Sequence, residues 1–144
     1  MEANDQTGRV TGIGGVFIKY DDPDSIKQWY ADHLGIKMEE YGTSFEWRNS
    51  QYPERKGYTL WSPFSQSSEY FDPSKKMLMI NFRVDNLDAI LAKLADRGIE
   101  RLAPIEETDY GRFAHIIDPE GVKIELWEAD DDAYERMMEE NNSL

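Results

Sequence analysis

Asp118-Pro-Glu-Gly-Val-Lys-Ile-Glu-Leu-Trp-Glu128 is the stretch from which the rest of the chain reads. Asp-Pro-Glu-Gly has the chemistry of a turn: proline presets φ at the second position, and glycine takes the positive φ that a side chain resists. The residues that follow have the period of a strand. Ile124 and Leu126 share one face, and Lys123, Glu125 and Trp127 share the other. A carboxylate is thereby set opposite the aliphatic positions. Locally, Glu125 reads either as a solvated strand residue or as the acid of a site, and this stretch leaves both open.

Upstream of this ending the chain repeats itself. Residues 1–11 are polar and read as a disordered or weakly attached lead-in, and Gly12–Tyr20 is a strand with glycines at its start. Asp21-Asp-Pro-Asp-Ser25 supplies N-cap candidates for a helix to His33, where Ile26, Trp29, Tyr30 and Leu34 fall at helical spacing and Gly35 stops the run. Strands are predicted over Ile36–Tyr41, Thr43–Arg48 (Gly42 turning between them) and Gly57–Ser62. Residues 63–76 read as a connector, in which Phe64, Tyr70 and Phe71 are apolar enough to dock on the core, a cleft mouth or a partner subunit. Met77–Val84 is again a strand, Asp85-Asn-Leu-Asp88 a capped turn, Ala89–Arg97 a helix, and Gly98 its stop. An offset of 64 pairs Gly15 with Met79, Ile18 with Phe82, Asp21 with Asp85 and Ala31 with Ala95, and Leu60-Trp61 echoes Leu126-Trp127. The halves therefore read as two βαβββ modules, 12–62 and 77–128, of an α+β fold, with an acidic tail at 129–144 and a single domain overall.

The gross numbers narrow the function. A chain of 144 residues is long enough for one domain. No cysteine occurs, which removes disulfides, thiolate zinc sites and cysteine nucleophiles, and two histidines are too few for a histidine-rich metal centre. The polar, acidic N-terminus is unlike a signal peptide and no apolar run reaches membrane-spanning length, so a cytoplasmic protein is expected. A net charge of −13 repels phosphate backbones and anionic lipid, so neither nucleic acid nor membrane is an expected partner. From Glu128 onward there are seven acids against one arginine. That tail reads as a solubilising segment or as an attractor of a cationic ligand.

Several segments together carry a family likeness. They are Val16-Phe-Ile-Lys-Tyr-Asp-Asp-Pro23 with Trp29-Tyr30 and Leu34-Gly35; Ile80-Asn-Phe-Arg-Val-Asp-Asn-Leu-Asp88; Tyr110-Gly-Arg-Phe-Ala114; and the 118–128 ending. From Gly12 to Glu128 the chain resembles the vicinal oxygen chelate superfamily, also called the glyoxalase/bleomycin-resistance/dioxygenase superfamily. The resemblance implies two βαβββ modules forming a curved mixed sheet around a cleft, usually as a homodimer. It also implies four metal-ligand positions, which fall here on Gly15, Thr59, Met79 and Glu125. Only Glu125 is a strong ligand for the hard or borderline ions of such sites. No metal and no cofactor is therefore expected, and His115 adds at most one nitrogen.

Alternation places Gly15, Phe17, Lys19, Thr59, Trp61, Met79, Asn81, Arg83, Lys123, Glu125 and Trp127 on the inward face. Val16, Ile18, Leu60, Ile80, Phe82, Val84, Ile124 and Leu126 fall on a helix-covered outward face. The expected ligand-binding residues are Phe17, Lys19, Thr59, Trp61, Met79, Asn81, Arg83, His115, Glu125 and Trp127, with small Gly15 and Thr59 leaving space. Rings with a few polar groups suit an organic, aromatic or cationic ligand. The expected function is metal-independent binding of a small molecule, as in antibiotic-sequestering members. The alternative is a metal-independent lyase or isomerase with Glu125 as general base and Lys19, Arg83 or Asn81 holding an oxyanion. A third reading pairs Glu125 with Lys19, Arg83 or Lys123 in a face that is packed shut. His115 is strand core or donor, His33 a solvated helix-end residue, Arg112 an anion clamp or a surface ion pair, and Trp29 and Tyr30 core.

Overall fold

The computed structural model describes residues 8–142, in the order β1 (Arg9–Tyr20), α1 (Pro23–Leu34), β2 (Thr43–Arg48), β3 (Lys56–Ser65), β4 (Leu78–Asp85), α2 (Leu87–Asp96), β5 (Glu106–Thr108), β6 (Gly111–Ile117), β7 (Lys123–Ala129) and α3 (Asp131–Asn142). The fold is α+β. Its strands form a mixed seven-stranded sheet of order β2-β3-β1-β4-β7-β6-β5. β1 runs parallel to β3, while β2 with β3 and β5 with β6 are antiparallel. Among the described residues no helix is long and apolar enough to cross a membrane.

The helices start where capping chemistry puts them. Asp22 Oδ1 accepts from Ser25 N at 3.1 Å, and Pro23 opens α1 with its φ already helical. Asn86 caps α2 in the same way, accepting from Ala89 N at 3.2 Å. The two caps lie 64 residues apart, the offset at which the sequence echoes itself. Gly35 ends α1 in the left-handed conformation, its N–H bonded to Ala31 O. The Asp118–Gly121 turn forms as its residues require. Gly121 N donates to Asp118 O, Gly121 has φ +92°, and Asp118 Oδ1 accepts from Glu120 N and Val122 N.

Four segments differ from the sequence reading. β1 begins at Arg9, so residues 9–11 of the lead-in are strand; residues 1–7 lie outside the described range. Ile36–Tyr41 is not a strand and holds only an isolated Glu39–Gly42 bridge. Its carbonyls are taken by side chains instead, Lys37 O by Thr43 Oγ1 and Glu40 O by Lys27 Nζ, so no ladder forms. The first half thus reads βαββ and the second βαβββ. β3 also continues through Pro63 to Ser65. Its pairing with β2 stops at Trp61, so from there one side of β3 is an edge that tolerates proline. Residues 131–142, read as part of a tail, are the helix α3.

The described chain divides into two compact units: an N-terminal unit of residues 13–81 and 117–124, and a C-terminal unit holding the remainder. The N-terminal core is Phe17, Phe71 and Met79, with Leu60 and Phe64 packed against it. In the C-terminal unit Val84, Leu87, Ala114, Leu126, Trp127 and Tyr134 are buried.

Candidate functional site

Parallel pairing fixes which β3 residues share a face with β1. Gly15 lies opposite Leu60, Val16 opposite Trp61 and Phe17 opposite Ser62. Leu60 accordingly packs with Phe17, Phe71 and Met79. Trp61 lies on the other face, 4.6 Å from the Tyr30 ring of α1 and 6.2 Å from Tyr20. The inward assignment of Thr59 and Trp61 is therefore wrong by one residue of register, and Leu60 belongs inward. Thr59 Oγ1 is engaged within the sheet, donating to Ile13 O at 2.6 Å and accepting from Trp47 Nε1 at 2.9 Å. On the Trp61 face, burial and a hydroxyl contact with Tyr30 push the Tyr20 phenol up to about 12.

The expected space beside Gly15 is filled as well. A Cβ at Gly15 would meet the Phe17 ring at 2.8 Å. Phe71, from the stretch read as a connector, completes the packing. It is fully buried, its ring 5.1 Å from Phe64, and Phe64 lies 5.5 Å from Phe17. Two cations read as inward, Lys19 and Lys123, are turned to the same segment. Lys19 Nζ lies 5.1 Å from the Phe71 centroid, and Lys123 Nζ donates to Tyr70 O at 2.6 Å. Met79 and Asn81, also of this unit, are buried.

The C-terminal unit gathers Arg83, His115, Glu125 and Trp127. Glu125 is only 3% exposed, and its Oε2 lies 2.7 Å from His115 Nε2. Burying a carboxylate is costly unless it is paired, and His115 is a partner that can donate. His115 is thus the hydrogen-bond partner of Glu125. Trp127 is held by several partners: Phe113 stacks on it at 5.7 Å, Arg83 lies 5.1 Å from its centroid, and its Nε1 donates to Tyr110 O at 3.1 Å. The charge of Arg83 is met by Asp131 at the start of α3. Arg112 is an ion-pair residue rather than an anion clamp, bonded to Asp88 at 3.0 Å and Glu128 at 3.1 Å. Those partners raise its own pKa and hold the Asp88 carboxyl below its usual range. Trp29 is corrected too: it is 49% exposed, stacked on His33 at 4.7 Å on the outer side of α1.

Two residues that touch this face went unread in the sequence. Asp131 pairs with Arg83, and Tyr134 is buried edge-on to Trp127 and to Tyr110. A signal existed. Asp130 stands as an N-cap, its Oδ1 accepting from Ala133 N, ahead of an acidic first turn and spaced apolar residues, as helix starts require.

The glyoxalase/bleomycin resistance protein/dioxygenase superfamily model matches residues 12–126. The chain belongs to this superfamily. No curated protein matches it. Among solved structures, methylmalonyl-CoA epimerase from Mycobacterium tuberculosis is 25% identical over 82% of this chain and 87% of its own, at a TM-score of 0.50. Streptomyces coelicolor methylmalonyl-CoA epimerase in complex with 2-nitronate-propionyl-CoA is 18% identical, covering 83% of this chain and 97% of its own at 0.60. The Mn(II)-bound glyoxalase from Novosphingobium aromaticivorans is 17% identical, covering 86% of this chain and 40% of its own at 0.57. The last two likenesses are of fold.

Metal-dependent members of the superfamily raise the question of an ion here, and the donors do not fit one. Gly15 has no side chain, Thr59 spends its hydroxyl on Ile13 and Trp47, Met79 is in the apolar core, and Glu125 is engaged with His115. With register corrected, the β3 residue opposite Gly15 is Leu60, which offers nothing. Among the described residues no group of three or more His, Cys, Asp or Glu comes together.

Proposed function

We propose that this chain is a metal-independent small-molecule-binding protein of the glyoxalase/bleomycin-resistance type, taking an organic, aromatic or cationic ligand on the sheet face that carries Glu125. The observation behind this reading is the buried Glu125 carboxylate, bonded to His115 and one strand alternation from the Trp127 ring. A buried acid beside a ring stack is the chemistry that recognises a cation on an apolar body. Aromatic cations titrated into the full chain, before and after chelator, test it. Glu125→Gln should lose at least tenfold in affinity, and chelator should change nothing. Stoichiometric zinc, manganese or iron in the purified protein, or equal affinity in both variants, would overturn it.

A second reading has one specific support. The Glu125–His115 hydrogen bond joins a carboxylate to an imidazole, the pairing that moves protons in a lyase or isomerase. In that reading Glu125 is the catalytic general base. The likeness to methylmalonyl-CoA epimerase makes acyl-CoA thioesters the first test compounds. Deuterium uptake from solvent at the carbon beside the thioester, lost in Glu125→Gln, would establish it; no uptake by the native chain rejects it for this class.

A homodimer and a cytoplasmic location complete the proposal. Trp29, Leu34 and Phe45 leave apolar surface uncovered on the N-terminal unit, which supports association of copies. Sedimentation at a single-chain mass would remove the dimer.

A further inference from the structure

Lys19, Lys27, Lys56 and Lys123 are the lysines at least partly withdrawn from solvent. Three of them have an oxygen for their charge. Lys27 Nζ donates to Glu40 O at 2.7 Å, Lys123 Nζ donates to Tyr70 O at 2.6 Å, and Lys56 Nζ lies 3.9 Å from Glu46. Lys19 has none. Among the described residues its ammonium meets no hydrogen-bond acceptor and no carboxylate, only the Phe71 ring, 5.1 Å from the centroid. A ring attracts an ammonium, but it leaves the charge uncompensated and the N–H donors unspent.

The surroundings of Lys19 are apolar and in part open. Pairing sets Lys19 opposite Phe64 of β3, on the face that also carries Phe17. Phe64 stacks on Tyr70 at 5.9 Å, and Lys19 N donates to Met77 O, which brings Met77 alongside. Phe71 is closed off, but Tyr70 and Met77 are exposed. All of these residues belong to the N-terminal unit. An uncompensated cation therefore stands at the border of uncovered apolar surface. The charge then selects the ligand. One ammonium balances one negative charge, and a net charge of −13 repels any excess. A phosphate monoester, at about −2, brings an excess that a carboxylate does not.

We propose that Lys19 holds the anion in a second binding site, one that takes an aromatic monocarboxylate. The carboxylate lies on the ammonium, and the ring of the ligand lies against Tyr70 and Met77. This goes beyond the Glu125 reading, which concerns a cation and residues of the C-terminal unit. Benzoate is the probe. The native full chain is trace-acetylated with and without it, and each lysine is followed by peptide mass spectrometry. Saturating benzoate should slow acetylation of Lys19 at least fivefold and leave the exposed Lys75 and Lys76 unchanged. Benzyl alcohol, which keeps the ring and lacks the charge, should protect nothing.

Calorimetry on variants gives a second readout. Lys19→Met should lose at least tenfold in benzoate affinity, and Lys19→Arg, which restores a cation, should stay within threefold of the native chain. The labelling experiment uses the native chain alone, so it stands even where a variant fails to fold. An unchanged rate at Lys19 with benzoate, equal protection by benzyl alcohol, or undiminished affinity in Lys19→Met would overturn the proposal. So would a Lys19 that resists acetylation in the free chain, since its ammonium would then be closed to any ligand. Glu125-dependent binding of aromatic cations without protection of Lys19 would remove this site and leave the ligand-binding reading standing. Protection of Lys19 without cation binding would do the reverse.

Discussion

Phe71 illustrates how much a single residue holds in place. It is fully buried in the cluster with Phe17 and Met79, and the ring also receives the Lys19 ammonium. Phe71→Ala removes that packing and leaves a cavity, so urea unfolding should show a loss of about 3–5 kcal/mol. Wild-type stability in that variant would mean the segment is not packed on the core. Asp88 makes a smaller, pH-readable prediction. The hydrogen-bonded Arg112 guanidinium holds its carboxyl below the usual aspartate range. A depressed folded value means the pair stabilises above the unfolded pKa and that its contribution is lost as pH falls through the folded one. Asp88→Asn should therefore flatten the acid limb of the melting temperature below about pH 4, with little change near neutrality. An unchanged acid limb would show that the pair contributes nothing.

Among the elements, α2 offers the sharpest prediction, because Asn86 has two duties. It caps the helix and sits at φ +51°, where most side chains are strained. Asn86→Ala should cost about 2 kcal/mol in chemical denaturation and Asn86→Gly a few tenths, since glycine removes the strain that alanine keeps. The reverse order would contradict this account of the cap. The same scale shows what the sequence carried openly. Caps, glycine stops and the Asp118–Gly121 turn are local chemistry, and α1, β2, α2 and the final strand were legible from them. The register of β3 was not. Tyr58-Thr-Leu-Trp-Ser62 places an apolar residue on each face in either register, so alternation could not decide, and only the pairing of Gly15 with Leu60 does. Phe71 was marked as a docking residue, and of the three surfaces open to it the core is the one it meets. Tyr134 was hidden for another reason: it reaches the core from a segment rich in acids, and the contact is tertiary.

For the whole molecule, the family and the α+β fold followed from duplication and motif together, whereas the site followed only in part. Glu125, His115, Arg83 and Trp127 come together in the C-terminal unit, where α3 adds Asp131 and Tyr134, which no motif announced; in the N-terminal unit Thr59 and Trp61 leave the predicted face. The net charge of −13 favours cationic ligands at long range. Within this field Arg83 is neutralised by a residue of the chain itself, so the acid rather than the base of the site is the group expected to meet a cation. The most direct test is calorimetric titration of an aromatic cation into chelator-treated protein, comparing the native chain with Glu125→Gln. The account predicts undiminished binding by the metal-stripped native chain and at least a tenfold loss in the variant. Binding that appears only when a divalent metal is restored, or that ignores the Glu125 substitution, would contradict it.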